Sequence, residues 1–375
     1  MLKSQSRNAN MELLRIISMI MVTMLHALAK SDLLPTFVMD VSFNGWIAWV
    51  LEVLSIGAVN IFMLISGYFL VNSEFKLKRL IELILQTFLY SAVPFVVFLA
   101  SGKLGPEEKG IYQLLNNFLP IHMDTYWFIT AYVVVYMLSP IITKGLKAVT
   151  KKQLITVIVC LLIYECVLKS ILPFRLTTDT KGYSFLWYII MFFIGAYFRL
   201  FGFRFLDKQY KGWILYLGGS ALVLIGTFAI GKIIAATDRL NGLQGLFTEY
   251  NHVFALISAV GIFTAFVHMK PIEGIAAKII CILSPMALGV YLLQESLVLR
   301  FEWQKWFGLP GALELSTPIF LLKVFAAVLG MYALGTAVDA VRKVIFKFAP
   351  MPVEKLIKKK KDSLDGEKPS GDMTE

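Results

Sequence analysis

Apolar residues run through the chain in long blocks parted by short polar stretches, and the blocks have the length of membrane spans. About 20 mostly apolar residues carry a helix across the hydrocarbon of a bilayer. That ruler predicts ten helices, near residues 11–30, 46–70, 79–100, 126–143, 153–172, 185–201, 213–235, 252–269, 278–299 and 317–346. The predicted fold class is all-α, a polytopic transmembrane helical bundle of about ten spans. One transmembrane domain is expected over residues 1–348, followed by a basic tail at 349–375 whose low apolar content predicts disorder.

Composition narrows the function classes. The chain is 58% hydrophobic and only 16% charged, against roughly 45–50% and 25% in soluble domains, and a mean hydropathy of +0.71 leaves no segment polar enough for a separate soluble domain. Cys160, Cys166 and Cys281 all lie in apolar runs without C-x-x-C spacing, so they are expected in the core, with neither a disulfide framework nor a metal site. The net charge of +11 does not form a basic stripe interleaved with aromatics, which excludes a nucleic-acid partner. Instead the basic residues cluster between apolar blocks: 24 of the 36 Lys and Arg fall on one side of the predicted bilayer, 10 on the other and two within spans. By the positive-inside rule both termini are cytoplasmic, and the lipid bilayer of a bacterial plasma membrane is the expected surrounding. The start of the chain has a second reading, as a secretory signal peptide, because Lys3 and Arg7 precede an apolar region ending in Ala27-Leu28-Ala29.

The first block carries the sharpest chemical signal. Arg15 and His26 are eleven residues apart, and eleven helical steps end about 20° past three full turns, so the two side chains share a face about 16 Å apart along the axis. Glu12, three residues before Arg15, is placed to orient the guanidinium. A juxtamembrane Arg alone reads as a topology anchor, and a lone His near a helix end as an interfacial residue.

The Arg-x10-His pattern, preceded by Arg7-Asn8 and Glu12, resembles the start of the acyltransferase 3 family of integral membrane acyltransferases. Asn60 to Tyr68, with Ser66-Gly67, is similar to that family's Ser-Gly helix end, Phe75 to Arg79 to its basic cytoplasmic loop, and Tyr126-Trp127-Phe128 through Ser139-Pro140 to its fourth helix. The likeness covers roughly residues 7–346. It implies an acyl-CoA donor, expected to be acetyl-CoA, on the cytoplasmic side and a hydroxyl acceptor on a cell-surface polysaccharide or lipid-linked glycan precursor. Arg15, Lys76 and Arg79 would then hold the phosphates of CoA, and His26 would act as general base or acyl carrier. Ser66, Tyr126 and Trp127 are candidates for the substrate site and for steadying the developing oxyanion. Two positions depart from the family pattern: Lys76 stands where relatives often have an arginine, and Gln294 where they often have a histidine. A separate extracytoplasmic transferase could take over the acyl group.

Glu52, Gln86, Glu165, Glu295, Lys323 and Asp339 are the other polar residues expected within spans, where burial is costly and a cavity or partner is needed. Glu295 is the strongest of these, as a mid-span carboxylate of the ninth predicted helix that relays a proton in catalysis or as a structural partner of Lys323, while Asp339 and Lys323 are expected to snorkel at helix ends. His122, His252 and His268 read as surface residues. Ten spans with midplane carboxylates also suit a secondary transporter or flippase, the rival from another class.

Overall fold

The computed structural model describes residues 7–172 and 179–348, and these form helices and connecting turns without a strand. The predicted tail from residue 349 lies outside the described residues. In chain order the helices are α1 (Ala9–Ala29), α2 (Phe43–Ser55), α3 (Ala58–Leu70), α4 (Leu77–Ala100), α5 (Ile111–Phe118), α6 (Trp127–Ala148), α7 (Lys151–Leu162), α8 (Leu168–Ile171), α9 (Phe185–Phe201), α10 (Gln209–Thr237), α11 (Val253–Val267), α12 (Gly274–Leu283), α13 (Ala287–Gln294), α14 (Trp303–Trp306) and α15 (Thr317–Phe348). Among the described residues nine stretches are long and apolar enough to cross a membrane. The remaining predicted span, the sixth in chain order and here α9, has the expected bounds but only 17 residues, about 25 Å at 1.5 Å per residue.

Polar links gather alternate helix ends. Arg7 donates to the Cys281 carbonyl at 3.3 Å, Asn10 to the Met269 carbonyl at 2.8 Å, and Arg199 to the Tyr68 hydroxyl at 3.3 Å. Arg7 also lies within electrostatic reach of Lys343. The start of α1 therefore lies at one end of the bundle with α12 and the ends of α11 and α15, and the ends of α3 and α9 meet each other. At the other end Asn44 donates to the carbonyls of Leu313 and Leu315, and Arg300 to that of Thr125. Local signals start the helices: Asn8, Ser42 and Ser184 each cap an N-terminus by accepting a backbone N–H, and Thr150 with Gln153 forms a capping box. α1, read also as a signal peptide, packs against α2, α3, α12, α13 and α15 in the middle of the bundle.

Two predicted spans are broken. The stretch expected at 46–70 is α2 and α3, parted at Ile56-Gly57, where a Cβ on Gly57 would lie 3.1 Å from the Ala259 backbone. The stretch expected at 278–299 is α12 and α13, joined by a 3₁₀ turn at Ser284–Met286 and ending at Gln294. Pro285 supplies no N–H there, which ends the α-helical ladder. Both breaks border the internal cavity described below, a setting in which irregular backbone is tolerated at membrane depth.

The closest helix contact is between α3 and α9. A Cβ on Gly67 would overlap the Phe192 carbonyl oxygen, and one on Gly195 would overlap that of Leu64, so each helix needs a glycine for the other's backbone to approach. Gly212 and Gly219 likewise let α10 approach the backbone of α11.

Several polar residues sit differently from expectation. Asp339 is wholly buried, not at an interface, and accepts hydrogen bonds from Gln86 at 2.9 Å, Tyr90 at 3.0 Å and Arg342 at 2.7 Å. Lys323 donates to the Gly308 carbonyl rather than to Glu295. His252, read as a surface residue, is buried between Phe247 and Phe254, and Cys160, read as core, is exposed.

Lys169 is the hub of a buried polar cluster at the far end. Its ammonium lies 2.7 Å from Asp179 and 2.5 Å from Glu249 and donates to Asn251 at 2.7 Å. Burial alone would raise the Asp179 carboxyl, but hydrogen bonds from Lys169, the Lys181 amide and Asn251 outweigh it and hold it below the usual carboxylate range. Lys169→Met removes the buried cation, leaving Asp179 without an ion pair and Glu249 with only the half-exposed Lys181 ammonium at 3.6 Å. It is expected to cost about 3–5 kcal/mol of stability, read as a fall in the unfolding temperature in detergent. An unchanged unfolding temperature would show the cluster to be dispensable.

Candidate active site

One face of α1 lines an internal cavity of about 590 Å³. Arg15, Met19, Val22 and His26 follow one another at helical spacing along it, Lys30 closes the row, and all five border the cavity. The cavity therefore extends over some four turns of helix, from the end of the bundle that holds the chain start toward the opposite end.

At the first end Arg15 is fixed by Glu12. The guanidinium Nη1 lies 2.9 Å from both carboxylate oxygens, and Glu12 Oε2 also accepts the Ser284 hydroxyl at 2.5 Å. The Arg15 guanidinium sits 5.7 Å from the centre of the Phe69 ring. Glu12 itself does not border the cavity; its contacts aim Arg15 into it. A side chain about a third exposed, held on one side and open on the other, leaves guanidinium donors for an anionic ligand.

At the other end the imidazole meets the ninth predicted span. His26 Nδ1 lies 3.2 Å from Glu295 Oε1, and the Lys30 ammonium contacts the same carboxylate oxygen. Arg300 donates to the Glu295 carbonyl at 3.0 Å and to the Thr125 carbonyl at 3.2 Å. The Tyr291 ring flanks His26 with centroids 6.4 Å apart. A histidine whose Nδ1 makes no hydrogen bond among the described residues but lies 3.2 Å from a lysine-paired carboxylate is placed to exchange a proton with a ligand beside that charge.

The remaining candidates divide. Ser66 and Trp127 border the cavity, though the Ser66 hydroxyl donates to the Phe62 carbonyl of its own helix at 2.8 Å. Tyr126 is buried outside the cavity lining and directs its hydroxyl to the Leu292 carbonyl at 3.3 Å. Lys76 and Arg79 are exposed at the Arg15 end and do not border the cavity. The Lys76 amide donates to the Tyr136 hydroxyl, and Arg79 shares with Arg15 an electrostatic interaction with Tyr132, which does border it.

A family profile described as an acyltransferase domain matches residues 8–336. The chain belongs to the acyltransferase 3 family. No curated protein and no solved structure matches it significantly. With nine apolar stretches of spanning length, the acyltransferase is a multi-pass membrane protein, and both Arg15 and His26 lie within the matched region.

Sequence reasoning passed over several cavity residues of this acyltransferase. Lys30 counted only as a loop charge, although it stands four residues after His26 and so on the same face. Ser284 carried a signal in the Pro285 beside it, inside an apolar run. Tyr132, Tyr183 and Tyr250 carried none, because aromatic residues are common throughout the chain.

Proposed function

We propose that this membrane acyltransferase moves an acetyl group from cytoplasmic acetyl-CoA to a hydroxyl of a cell-surface polysaccharide or its lipid-linked precursor. The observation that carries the reading is the single cavity with a guanidinium at one end and a histidine–carboxylate pair toward the other. The 24-to-10 distribution of basic residues puts the Arg15 end in the cytoplasm, where acyl-CoA is made, and both termini with it.

In this reading Arg15, with Arg79 nearby, holds the CoA phosphates at the inner mouth, and the pantetheine arm lies along α1 with its thioester near His26. The negative charge of Glu295, 3.2 Å from Nδ1, favours the tautomer that keeps a proton there, leaving Nε2 as the base. The acceptor hydroxyl attacks the thioester carbonyl as Nε2 takes its proton. The tetrahedral oxyanion then collapses, the C–S bond breaks, and the imidazolium returns the proton to the departing CoA sulfur. Lys30 keeps Glu295 ionised, so the carboxylate stabilises the transient imidazolium without accepting its proton. The surroundings this reading calls for are a bacterial plasma membrane, and a separate extracytoplasmic transferase could receive the acyl group in place of the glycan.

The test is release of CoA by purified protein in liposomes supplied with acetyl-CoA. Wild type is expected to release CoA, and Arg15→Ala to raise the KM for acetyl-CoA about tenfold, a loss of about 1.4 kcal/mol of binding, with a smaller change in kcat. If wild type neither binds nor consumes acetyl-CoA, this reading fails and solute flux becomes the function to measure.

A further inference from the structure

Glu52 is a buried carboxylate that the mechanism does not use. It lies on α2 and borders the same cavity as His26, with only 8% of its surface exposed. Its Oε2 atom has no hydrogen-bond partner among the described residues. A buried acceptor of this kind is costly unless a ligand completes it.

The wall beside Glu52 is aromatic. Tyr183 and Tyr250 lie within electrostatic reach of the carboxylate. The Trp127 ring is 4.2 Å from that of Tyr183 and stacks on that of Tyr250 at 5.8 Å, with 16° between their planes. The rings are held from behind: Asn60 donates to the Tyr250 carbonyl at 2.8 Å and accepts from Trp187 at 2.8 Å, and the Tyr250 amide donates to the Lys181 carbonyl at 3.2 Å. Gly182, at φ +84°, leaves no room for a Cβ against Tyr250. Tyr183 is 46% exposed, which places it at the mouth, and these segments belong to the end of the bundle remote from Arg15. Ring by ring the wall continues from Trp127 to Phe128, Tyr291 and His26.

We propose that Glu52 with Trp127, Tyr183 and Tyr250 forms the acceptor subsite and takes one pyranose ring of a glycan. The aromatic faces pack against the C–H face of the sugar, and Glu52 Oε2 accepts hydrogen bonds from its hydroxyls. The two requirements of a neutral polyol, a flat apolar surface and an unoccupied acceptor, meet here. The ring so held lies on the wall that leads to His26, which leaves another hydroxyl of the same sugar, or of its neighbour, free to meet the thioester. This inference rests on the proposed acyl transfer and assigns the residues that choose its acceptor.

The test uses the full chain in liposomes with acetyl-CoA and a series of methyl pyranosides, and follows both CoA release and acetylated sugar by mass spectrometry. Glu52→Gln is expected to raise the KM for the preferred pyranoside at least tenfold while the KM for acetyl-CoA moves less than twofold. Trp127→Leu is expected to act in the same direction, and Trp127→Phe, which keeps a ring, to act less. Size-exclusion profiles matching wild type show that each variant has folded. If wild type transfers acetyl groups but Glu52→Gln and Trp127→Leu leave the pyranoside KM within twofold, the subsite is wrong and the acyl-transfer reading stands. Preference for an amino sugar that Glu52→Gln abolishes would overturn the hydroxyl assignment in favour of a cation held in the aromatic cage. No acyl transfer by wild type to any acceptor overturns both.

Discussion

His26→Ala is expected to lose acetyl transfer by on the order of 10²–10⁴-fold, the range of a general base, while the protein still binds acetyl-CoA. The size of the effect follows from the surroundings of the ring. Glu295 at 3.2 Å is paired with Lys30, and among the described residues no other imidazole borders the cavity to take over the proton. Glu295→Gln removes only the charge beside the imidazolium and is expected to fall between wild type and His26→Ala. Binding would be read by retention of labelled acetyl-CoA and chemistry by CoA release, since a loss of both would mean a damaged fold. A His26→Ala protein with activity within tenfold of wild type would remove His26 from the reaction.

Gly195→Val is expected to prevent the bundle from forming. A Cβ at this position would overlap the Leu64 carbonyl oxygen and lie 3.0 Å from the Tyr68 amide nitrogen, and both are backbone atoms that cannot turn aside as a side chain can. Overpacking a core commonly costs about 1–3 kcal/mol, and here α3 and α9 would have to separate along their length. Since α3 carries Ser66 and α9 starts just after Tyr183, separation would open the cavity wall as well. Gly218→Val is the control, because nothing lies within 4 Å of a Cβ at Gly218. Size-exclusion chromatography and thermal unfolding separate the two. A Gly195→Val protein that elutes and melts like wild type would refute the contact.

Both of these residues bear on what the sequence could and could not disclose. His26 was legible because its relation to Arg15 is local: eleven residues in one helix fix a shared face without any knowledge of the fold. The order and rough bounds of the apolar blocks were legible for a similar reason, since each block must satisfy its own backbone polar groups, although ten expected spans became nine stretches of spanning length and one shorter helix among the described residues. Gly195 was silent, because the reason for it is a carbonyl more than a hundred residues away in the chain. The same holds for Asp339, whose position near a helix end suggested an interface until Gln86 and Tyr90 of α4 were seen to enclose it. Glu295 was readable as an unusual intramembrane carboxylate but not in its partner. Lys30 stands 265 residues away, and Lys323, nearer in sequence, turns to a carbonyl instead. The breaks at Ile56-Gly57 and Ser284-Pro285 sit inside uninterrupted apolar runs, so hydropathy joined what the backbone divides.

The shortness of α9 has a mechanical consequence. At 17 residues it would be mismatched to a bilayer if it faced lipid, yet only Phe185 and Arg199, at its two ends, are exposed. Lipid thickness acts on the helices that surround it, which can tilt to adapt, and reaches α9 only through them. A helix that packs against the cavity-lining α3 is thereby insulated from the lipid, and its length is matched to its protein neighbours rather than to the membrane in which the protein happens to reside.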